Sequence, residues 1–466
     1  MAFVANENQK QAIEHVHGPM LVVAGAGTGK TTVLAQRIAR LIEKGHARAD
    51  EILALTYTDA AAAHLKAKVA TALGVSETGV HAHTFHAYCL KLLKSTGQDF
   101  GIVDEKDLWI LLRRRIEELP LKHFLPPRDP GEFLNALKEF FSRCSDELVD
   151  AARYEKYVAE LGRGEHPLPR VAPAKKDAEL RADDKLARCR EISAVFGAVE
   201  RMLGDGKLWT YGNMITGTVR LLNEDSRVLQ EAQRQARFVL VDEFQDANVA
   251  QIELVRLLGH PENNVFAVGD PDQAIYRFRG ASHVAFEEFL RRFPKSQGIV
   301  LNENQRSTSH ILACAHAIIQ RNPEVDCRLA PEMDFHRERL ISAREGRKRD
   351  LRPDCVGIVL GDKFQEASDI ATEIEALLSD GKVVAPGPGE PPPIAVIYRM
   401  HAHARELMYE LAAREIPAVV KGINALDTGD GRNLVSALAA VASLSNSEDL
   451  FRVAALPFFG LDGLRV

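Results

Sequence analysis

A glycine-rich segment followed by lysine and threonine is suited to bind phosphate. The segment AGAGTGKT consists of Ala24, Gly25, Ala26, Gly27, Thr28, Gly29, Lys30 and Thr31. Its glycines let backbone N–H groups converge on phosphate oxygens, and Lys30 can reach the outer phosphates of a nucleotide. The Thr31 hydroxyl can ligate Mg²⁺. The alternative is a glycine-rich turn that only caps the helix after it.

A second candidate is the acidic pair Asp242 and Glu243 in VLVDEFQDAN, which follows an apolar run. A carboxylate at the end of a strand can bind Mg²⁺, and its neighbour can orient and deprotonate an attacking water. Paired acids are more often a helix N-cap and solvated charge. A phosphate-binding loop in the same sheet favours the catalytic interpretation.

A third candidate is the segment GDPDQAIYRFRGA, residues 269–281. Gln273 could contact a γ-phosphate. Tyr276, Phe278 and Arg279 alternate aromatic and cationic groups, which is a pattern that stacks on unpaired bases and holds phosphates. The alternative is a turn followed by core aromatics. Tyr57 and Thr58, which follow the apolar run at Ile52–Thr56, and His86 within HTFHAY are further candidates, although a lone histidine is more often a surface or core residue than a ligand.

The elements that must position these residues are short apolar runs at Met20–Ala24, Ile52–Thr56, Phe238–Val241, 265–268 and 299–301. Each is followed by polar or glycine-rich residues and then by a helical pattern, which predicts buried parallel strands. We therefore expect an α/β fold with a doubly wound parallel sheet of the P-loop NTPase type. Ligands of such sheets bind beyond the carboxyl ends of the strands.

The domain organisation follows from the same patterns. Residues 1–94 and 207–309 should form the nucleotide-binding core, and the charged, helix-periodic residues 95–206 a helical insertion. Residues 310–466 should form a partial second α/β domain, with helices at 364–378 and 405–414 and strands at 356–360, 394–398 and 418–421.

Composition is that of a folded, soluble protein. The 466 residues are 46% hydrophobic and 27% charged, and the formal net charge is −6. A DNA-binding surface would therefore have to be a local feature. The six cysteines form no Cys-x-x-Cys pair, which excludes a zinc ribbon of that type and favours a reducing compartment. With no signal peptide or long apolar run, we expect a cytoplasmic protein that does not bind a membrane.

The order of the motifs resembles that of the UvrD/PcrA/Rep family of superfamily-one DNA helicases. The motifs are NENQKQAI, AGAGTGKT, ALTYTDAAA, HTFHAY, VDEFQDAN, AVGDPDQAIYRFRGA and LNENQRST. The resemblance extends from the start of the chain to about residue 457. It implies a RecA-like fold and a 3′-to-5′ translocase on single-stranded DNA that couples ATP hydrolysis to duplex unwinding.

The resemblance also implies roles for individual residues. Gln9 would read adenine, Arg37 would approach the nucleotide, and Lys30, Thr31 and Asp242 would hold the phosphates and Mg²⁺. Glu243 would be the general base, Gln273 the γ-phosphate contact, and Arg306 an arginine supplied across the cleft. The residues expected along the DNA track are Tyr57, Thr58, His86, Tyr276, Phe278 and Arg279. Single-stranded and 3′-tailed duplex DNA would be the partners.

Two departures from the family pattern bear on function. Gln305 stands where the family usually has a tyrosine that stacks on adenine. After Arg306 nothing matches the family's last two motifs, so we expect a C-terminally truncated chain or a fragment. Two functions stay open: a DNA helicase, or an ATP-gated module that binds single-stranded DNA without productive unwinding.

Overall fold

The computed structural model describes two compact units, Met1–Val356 and Gly357–Val466. In the first unit it describes residues 4–124, 130–169, 181–274, 284–321 and 339–343. In the second it describes residues 357, 359, 361–362, 365–380, 383, 393–420, 429–442, 450 and 453–454. The domain boundaries given above stay a prediction.

The first unit contains ten described strands. They are β1 Met20–Ala24, β2 Ile52–Thr56, β3 His81–Thr84, β4 Gly101–Val103, β5 Leu208–Thr210, β6 Phe238–Val241, β7 Val265–Gly269, β8 Gln297–Leu301, β9 Glu303–Asn304 and β10 Ile341–Ser342. Six of them form a parallel sheet in the order β3-β2-β6-β7-β1-β8. The predicted doubly wound parallel sheet is confirmed.

Helices alternate with these strands along the first unit. They are α1 Glu7–Glu14, α2 Lys30–Glu43, α3 Asp59–Leu73, α4 Phe85–Ser95, α5 Glu105–Arg114, α6 Pro130–Asp146, α7 Ala151–Gly162, α8 Ala182–Asp205, α9 Tyr211–Glu224, α10 Ser226–Gln235, α11 Val249–Gly259, α12 Val284–Arg292 and α13 Ser309–Ile319. None of the helices described in either unit is both long and apolar enough to cross a membrane.

The apolar strands have two buried faces, each in its own hydrophobic cluster. Along β6, Val239 and Val241 belong to one cluster, whereas Phe238 and Leu240 belong to the other. This alternation follows from the two-residue period of a strand. Full burial of each such side chain contributes about 1.5–3 kcal/mol, so the sheet is a stiff platform for the loops at its carboxyl edge.

The helical insertion has its own hydrophobic core. Leu112 of α5, Leu134 of α6 and Val195 of α8 are fully buried in it. At its two junctions with the sheet domain, β4 and β5 pair in parallel. This small sheet brings the start and the end of the insertion together.

The second unit contains three described helices, α14 Glu366–Ser379, α15 His401–Ala413 and α16 Gly429–Ala442. Helices α14 and α15 pack through a small apolar cluster that includes Ile374 and Leu407. They match the helices predicted at 364–378 and 405–414. The strand predicted at 394–398 is wrong, because these residues have no regular secondary structure. The strands predicted at 356–360 and 418–421 lie partly outside the described residues.

Candidate nucleotide and DNA site

The phosphate-binding segment runs from the end of β1 to the first turn of α2. Gly27 and Gly29 have φ angles of +76° and +90°, which residues with a side chain rarely adopt. A methyl group at Gly27 would also lie 2.8 Å from Cβ of Arg306. Both conformation and packing therefore require glycine at position 27.

Residues 304–306 lie directly against this segment. The Gln305 backbone N–H donates to the Gly27 carbonyl at 2.8 Å, and the Asn304 side-chain amide donates to the Ala26 carbonyl. Asn304 Oδ1 in turn accepts the Arg306 backbone N–H at 2.8 Å. These bonds fix the Arg306 backbone beside the phosphate-binding segment, and the role predicted for its guanidinium stays a prediction.

The two predicted acids follow β6 and meet the start of α2. Thr31 Oγ1 donates to Asp242 Oδ2 at 3.3 Å, and Lys30 Nζ donates to Glu243 Oε2 at 2.7 Å. Asp242 is only 4% exposed. Burial raises the pKa of the Asp242 carboxyl, and the negative charge of Glu243 adds to this effect, so that the pKa is about 6. The structure therefore brings together the four side chains predicted for phosphate, Mg²⁺ and water.

A glutamine joins this acidic pair to the segment after β7. Gln245 Nε2 donates to Glu243 Oε2 at 2.9 Å, and its Oε1 accepts the Asp270 backbone N–H at 2.9 Å. Gln273 Nε2 donates to Asp270 Oδ2 at 2.6 Å. A methyl group at Gly269 would lie 2.6 Å from Gln245 Oε1, so glycine is needed for this approach. Gln245 thus connects the proposed base with the loop that carries Gln273.

Gln9 and Arg37 hold α1 against the phosphate-binding segment. Gln9 Nε2 donates to the Thr28 carbonyl at 3.0 Å. The Arg37 guanidinium is buried, donates to the carbonyls of Ala12 at 3.3 Å and Val16 at 3.4 Å, and lies 4.6 Å from the ring centroid of Phe266. Burial lowers its pKa to about 9. The structure places Arg37 under α1, and its predicted approach to the nucleotide stays a prediction.

Three of the six predicted DNA-track residues lie at the carboxyl ends of β2 and β3. The Tyr57 hydroxyl donates to Gln251 Oε1 at 3.3 Å, Thr58 Oγ1 caps α3 by accepting the Ala61 N–H, and the His86 ring lies 5.6 Å from the Tyr211 ring. Burial, then the charges of Asp246 and Glu243, raise the pKa of Tyr57 well above its usual range. Tyr276, Phe278 and Arg279 lie outside the described residues.

Comparison with known families decides the assignment. The model of the UvrD/REP helicase N-terminal domain matches residues 5–294, which is more than half of the chain. The chain belongs to the UvrD/REP helicase family. The resemblance drawn from the ordered motifs is confirmed.

Individual relatives agree with the family. The ATP-dependent DNA helicase UvrD1 of Mycobacterium leprae is 32% identical over 476 aligned positions, which cover 98% of this chain and 55% of that protein. UvrD1 of Mycobacterium tuberculosis is 30% identical with the same coverage. The ATP-dependent DNA helicase PcrA of Staphylococcus epidermidis is 27% identical and is covered to 56%. The chain thus spans about half the length of these curated relatives.

The side chains present in this UvrD/REP chain fit a magnesium ion. The buried Asp242 carboxylate and the Thr31 hydroxyl are oxygen donors of the kind that Mg²⁺ prefers. Burial and the charge of Glu243 raise the pKa of Asp242 more than Lys30 and Thr31 lower it, so the protein alone compensates its charge only in part. A divalent cation would supply the missing positive charge.

Two UvrD/REP site residues were not predicted from the sequence. Gln245 lies inside the DEFQD motif, two residues after Glu243, and Asn304 lies two residues before Arg306. Their position beside predicted residues was the available signal. Gln245 contacts Asp270, and Asn304 contacts Ala26. The role of each side chain depends on these contacts, whose partners are distant in sequence.

Proposed function

We propose that this chain is the ATP-hydrolysing part of a DNA helicase that moves 3′ to 5′ along single-stranded DNA and unwinds duplexes. One observation carries the proposal. Lys30, Thr31, Asp242 and Glu243 converge at the carboxyl edge of a parallel sheet, where ligands of this fold class bind. The names of the relatives support DNA as the substrate that is unwound.

The four side chains would divide the work of phosphoryl transfer. Lys30 and the N-terminus of α2 would attract the outer phosphates of ATP, since both present positive charge. Thr31 and Asp242 would hold Mg²⁺, which neutralises phosphate charge when bound. Glu243 would orient the attacking water and accept its proton once phosphate has drawn Lys30 away.

The DNA-facing residues would lie on the same edge of the sheet. Tyr57 and His86 follow neighbouring strands, and the aromatic and cationic residues Tyr276, Phe278 and Arg279 follow Gln273 in sequence. Aromatic faces stack on unpaired bases whatever their sequence. We place the activity in DNA repair or recombination in the cytoplasm, on single-stranded and 3′-tailed duplex DNA.

A strand-displacement assay tests the polarity and the unwinding together. The chain is incubated with ATP and Mg²⁺ and with duplexes that carry either a 3′ or a 5′ single-stranded tail. We expect displacement of the 3′-tailed duplex only, and none by Lys30→Ala. Preference for the 5′ tail would overturn the polarity.

The same assay addresses the second function. If the chain binds ATP and single-stranded DNA but displaces neither duplex, the ATP-gated binding module is the better description. A chain that binds neither ligand contradicts both functions.

A further inference from the structure

The helical insertion contacts the catalytic segment through a carboxylate at the end of α6. Asp146, the last residue of α6, accepts a 2.6 Å hydrogen bond on Oδ1 from Nδ2 of Asn248. Asn248 lies five residues after Glu243 and is the N-cap of α11. This side-chain hydrogen bond therefore joins the insertion to the residues that follow the proposed base.

Asn248 is held in place by further hydrogen bonds. Asn248 is 7% exposed; its Oδ1 accepts the Gln251 N–H at 2.9 Å, and its backbone N–H donates to Gln251 Oε1 at 3.2 Å. The same Gln251 oxygen accepts the Tyr57 hydroxyl. Asp146, Asn248, Gln251 and Tyr57 thus form one chain of hydrogen bonds from the insertion to the residue after β2.

The Asp146 end is in an unfavourable place for a carboxylate. It stands at the C-terminus of a helix, where the helix dipole is negative. Its Oδ2 is buried and has no hydrogen-bond partner within the described ranges. Burial raises the pKa of this carboxyl to about 7. Residues that break local rules in this way commonly serve a function at that position.

The end of α6, which carries Asp146, is closely packed against the core. A methyl group at Gly212 would lie 2.7 Å from Cβ of Ser145, so the end of α6 is packed closely against the start of α9. Beside it, a cleft of about 890 Å³ separates parts of the insertion from α9. This cleft is lined by residues that include Lys138, Phe141, Glu200 and Arg220. The insertion is therefore closely packed against the core at the end of α6, and a cleft separates the two next to this contact.

We infer that Asp146 is a positioning residue that ties the helical insertion to the catalytic segment, so that ATP turnover depends on the docked insertion. The inference rests on the proposed function, because it assigns a regulator to the same ATPase site. Asp146 acts through Asn248 and the turn that carries Glu243, and it does not touch the nucleotide.

Substitutions at Asp146 test the contact directly. Asp146→Leu removes the acceptor and leaves Asn248 Nδ2 unpaired, whereas Asp146→Asn keeps an oxygen in the same place. We expect Asp146→Leu to lower DNA-stimulated kcat by about tenfold, the rate equivalent of one lost hydrogen bond, with the KM for ATP nearly unchanged. Asp146→Asn and the neighbouring control Glu147→Gln should keep the wild-type kcat.

A reciprocal exchange separates positioning from general packing. Asn248→Asp sets two carboxylates against each other and should lower kcat. The double variant Asp146→Asn with Asn248→Asp restores one amide and one carboxylate with the donor reversed, and it should recover most of the lost rate. Wild-type kcat in Asp146→Leu, or a double variant no better than Asn248→Asp alone, would overturn the inference.

Amide hydrogen exchange gives a readout that needs no turnover. In Asp146→Leu we expect faster exchange at residues 244–251 and unchanged exchange in β1 and β7. Unchanged exchange at 244–251 would overturn the anchor. If the wild-type chain hydrolyses no ATP, the proposed function fails, and the exchange result still decides whether Asp146 holds this segment.

Discussion

Lys30 forms a hydrogen bond with a Glu243 oxygen, and a nucleotide that binds Lys30 would have to replace that bond. Lys30 Nζ and Gln245 Nε2 both donate to Glu243 Oε2. A phosphate that competes for Lys30 would leave the Gln245 hydrogen bond on Glu243 Oε2 in place. The geometry thus links arrival of the nucleotide to release of the proposed base, and Gln245 keeps that base in place.

Gln245 should affect the chemical step more than nucleotide binding. Gln245→Met keeps the size of the side chain but removes both hydrogen bonds, so we expect kcat to fall by about tenfold with little change in the KM for ATP. Gln245→Glu places a second carboxylate beside Glu243, which should move the acid limb of the kcat profile to higher pH. Gln235→Met, on the exposed face of α10, is the control. An unshifted pH profile in Gln245→Glu would contradict the role.

Asp242 should cost the protein stability in return for its function. Its pKa is raised from 3.8 to about 6, so the folded chain holds this proton more tightly than the unfolded chain. Ionisation therefore destabilises the fold as pH rises from about 4 to 6, and the full cost remains above that range. Asp242→Asn should raise the Tm by a few degrees at pH 7.5 and hardly at pH 4, in the absence of nucleotide.

Thermal unfolding at the two pH values checks this prediction. Nucleotide binding checks the proposed role of Asp242 as a Mg²⁺ ligand. Asp242→Asn should also abolish the Mg²⁺ dependence of ATP binding, because a neutral amide is a poorer ligand. A lower Tm at pH 7.5 would show that the ionised carboxylate stabilises the fold, which would contradict the prediction.

Arg37 attaches α1 to α2 and so places Gln9 at the phosphate-binding segment. Arg37→Leu removes two carbonyl contacts and the cation over Phe266, which should loosen α1 and raise the KM for ATP severalfold while kcat at saturation is kept. Arg40→Leu is the matched control, since Arg40 pairs with Glu14 at the exposed surface of the same helices. Equal effects of the two substitutions would contradict the assignment.

The elements differ in how well the sequence predicts them. The apolar runs predict β1, β2 and β6 at their observed bounds, because strands buried on both faces need continuous apolar residues. Strand β3, with the sequence HAHT, is at the edge of the sheet and is half-buried, so it has no such run. Residues 394–398 are apolar enough for a strand but pair with none of the strands that the structure describes.

The candidate site divides in the same way. Lys30, Thr31 and the two acids could be predicted because local motifs carry them to the ends of strands. Gln245, Asn304 and Asp146 act through hydrogen bonds between segments that are far apart in the chain. No local pattern encodes such pairs, so only the folded chain reveals them.

The described residues that we propose to face the nucleotide belong to the first compact unit. Residues 1–356 include Gln9, the phosphate-binding segment, the acidic pair and Arg306. We therefore expect a chain of residues 1–356 to bind Mg·ADP within about twofold of the affinity of the full chain, a difference below 0.5 kcal/mol. Fluorescence titration with a labelled ADP measures the affinity of each chain. Binding weakened tenfold or more would place essential contacts in residues 357–466.

We propose that these residues form an ATPase coupled to single-stranded DNA. Steady-state ATP hydrolysis by the 466-residue chain, with and without single-stranded DNA and with Lys30→Ala as the blank, tests it most directly. We expect turnover above the blank that rises when DNA is added. Hydrolysis equal to that of Lys30→Ala, with or without DNA, would contradict it.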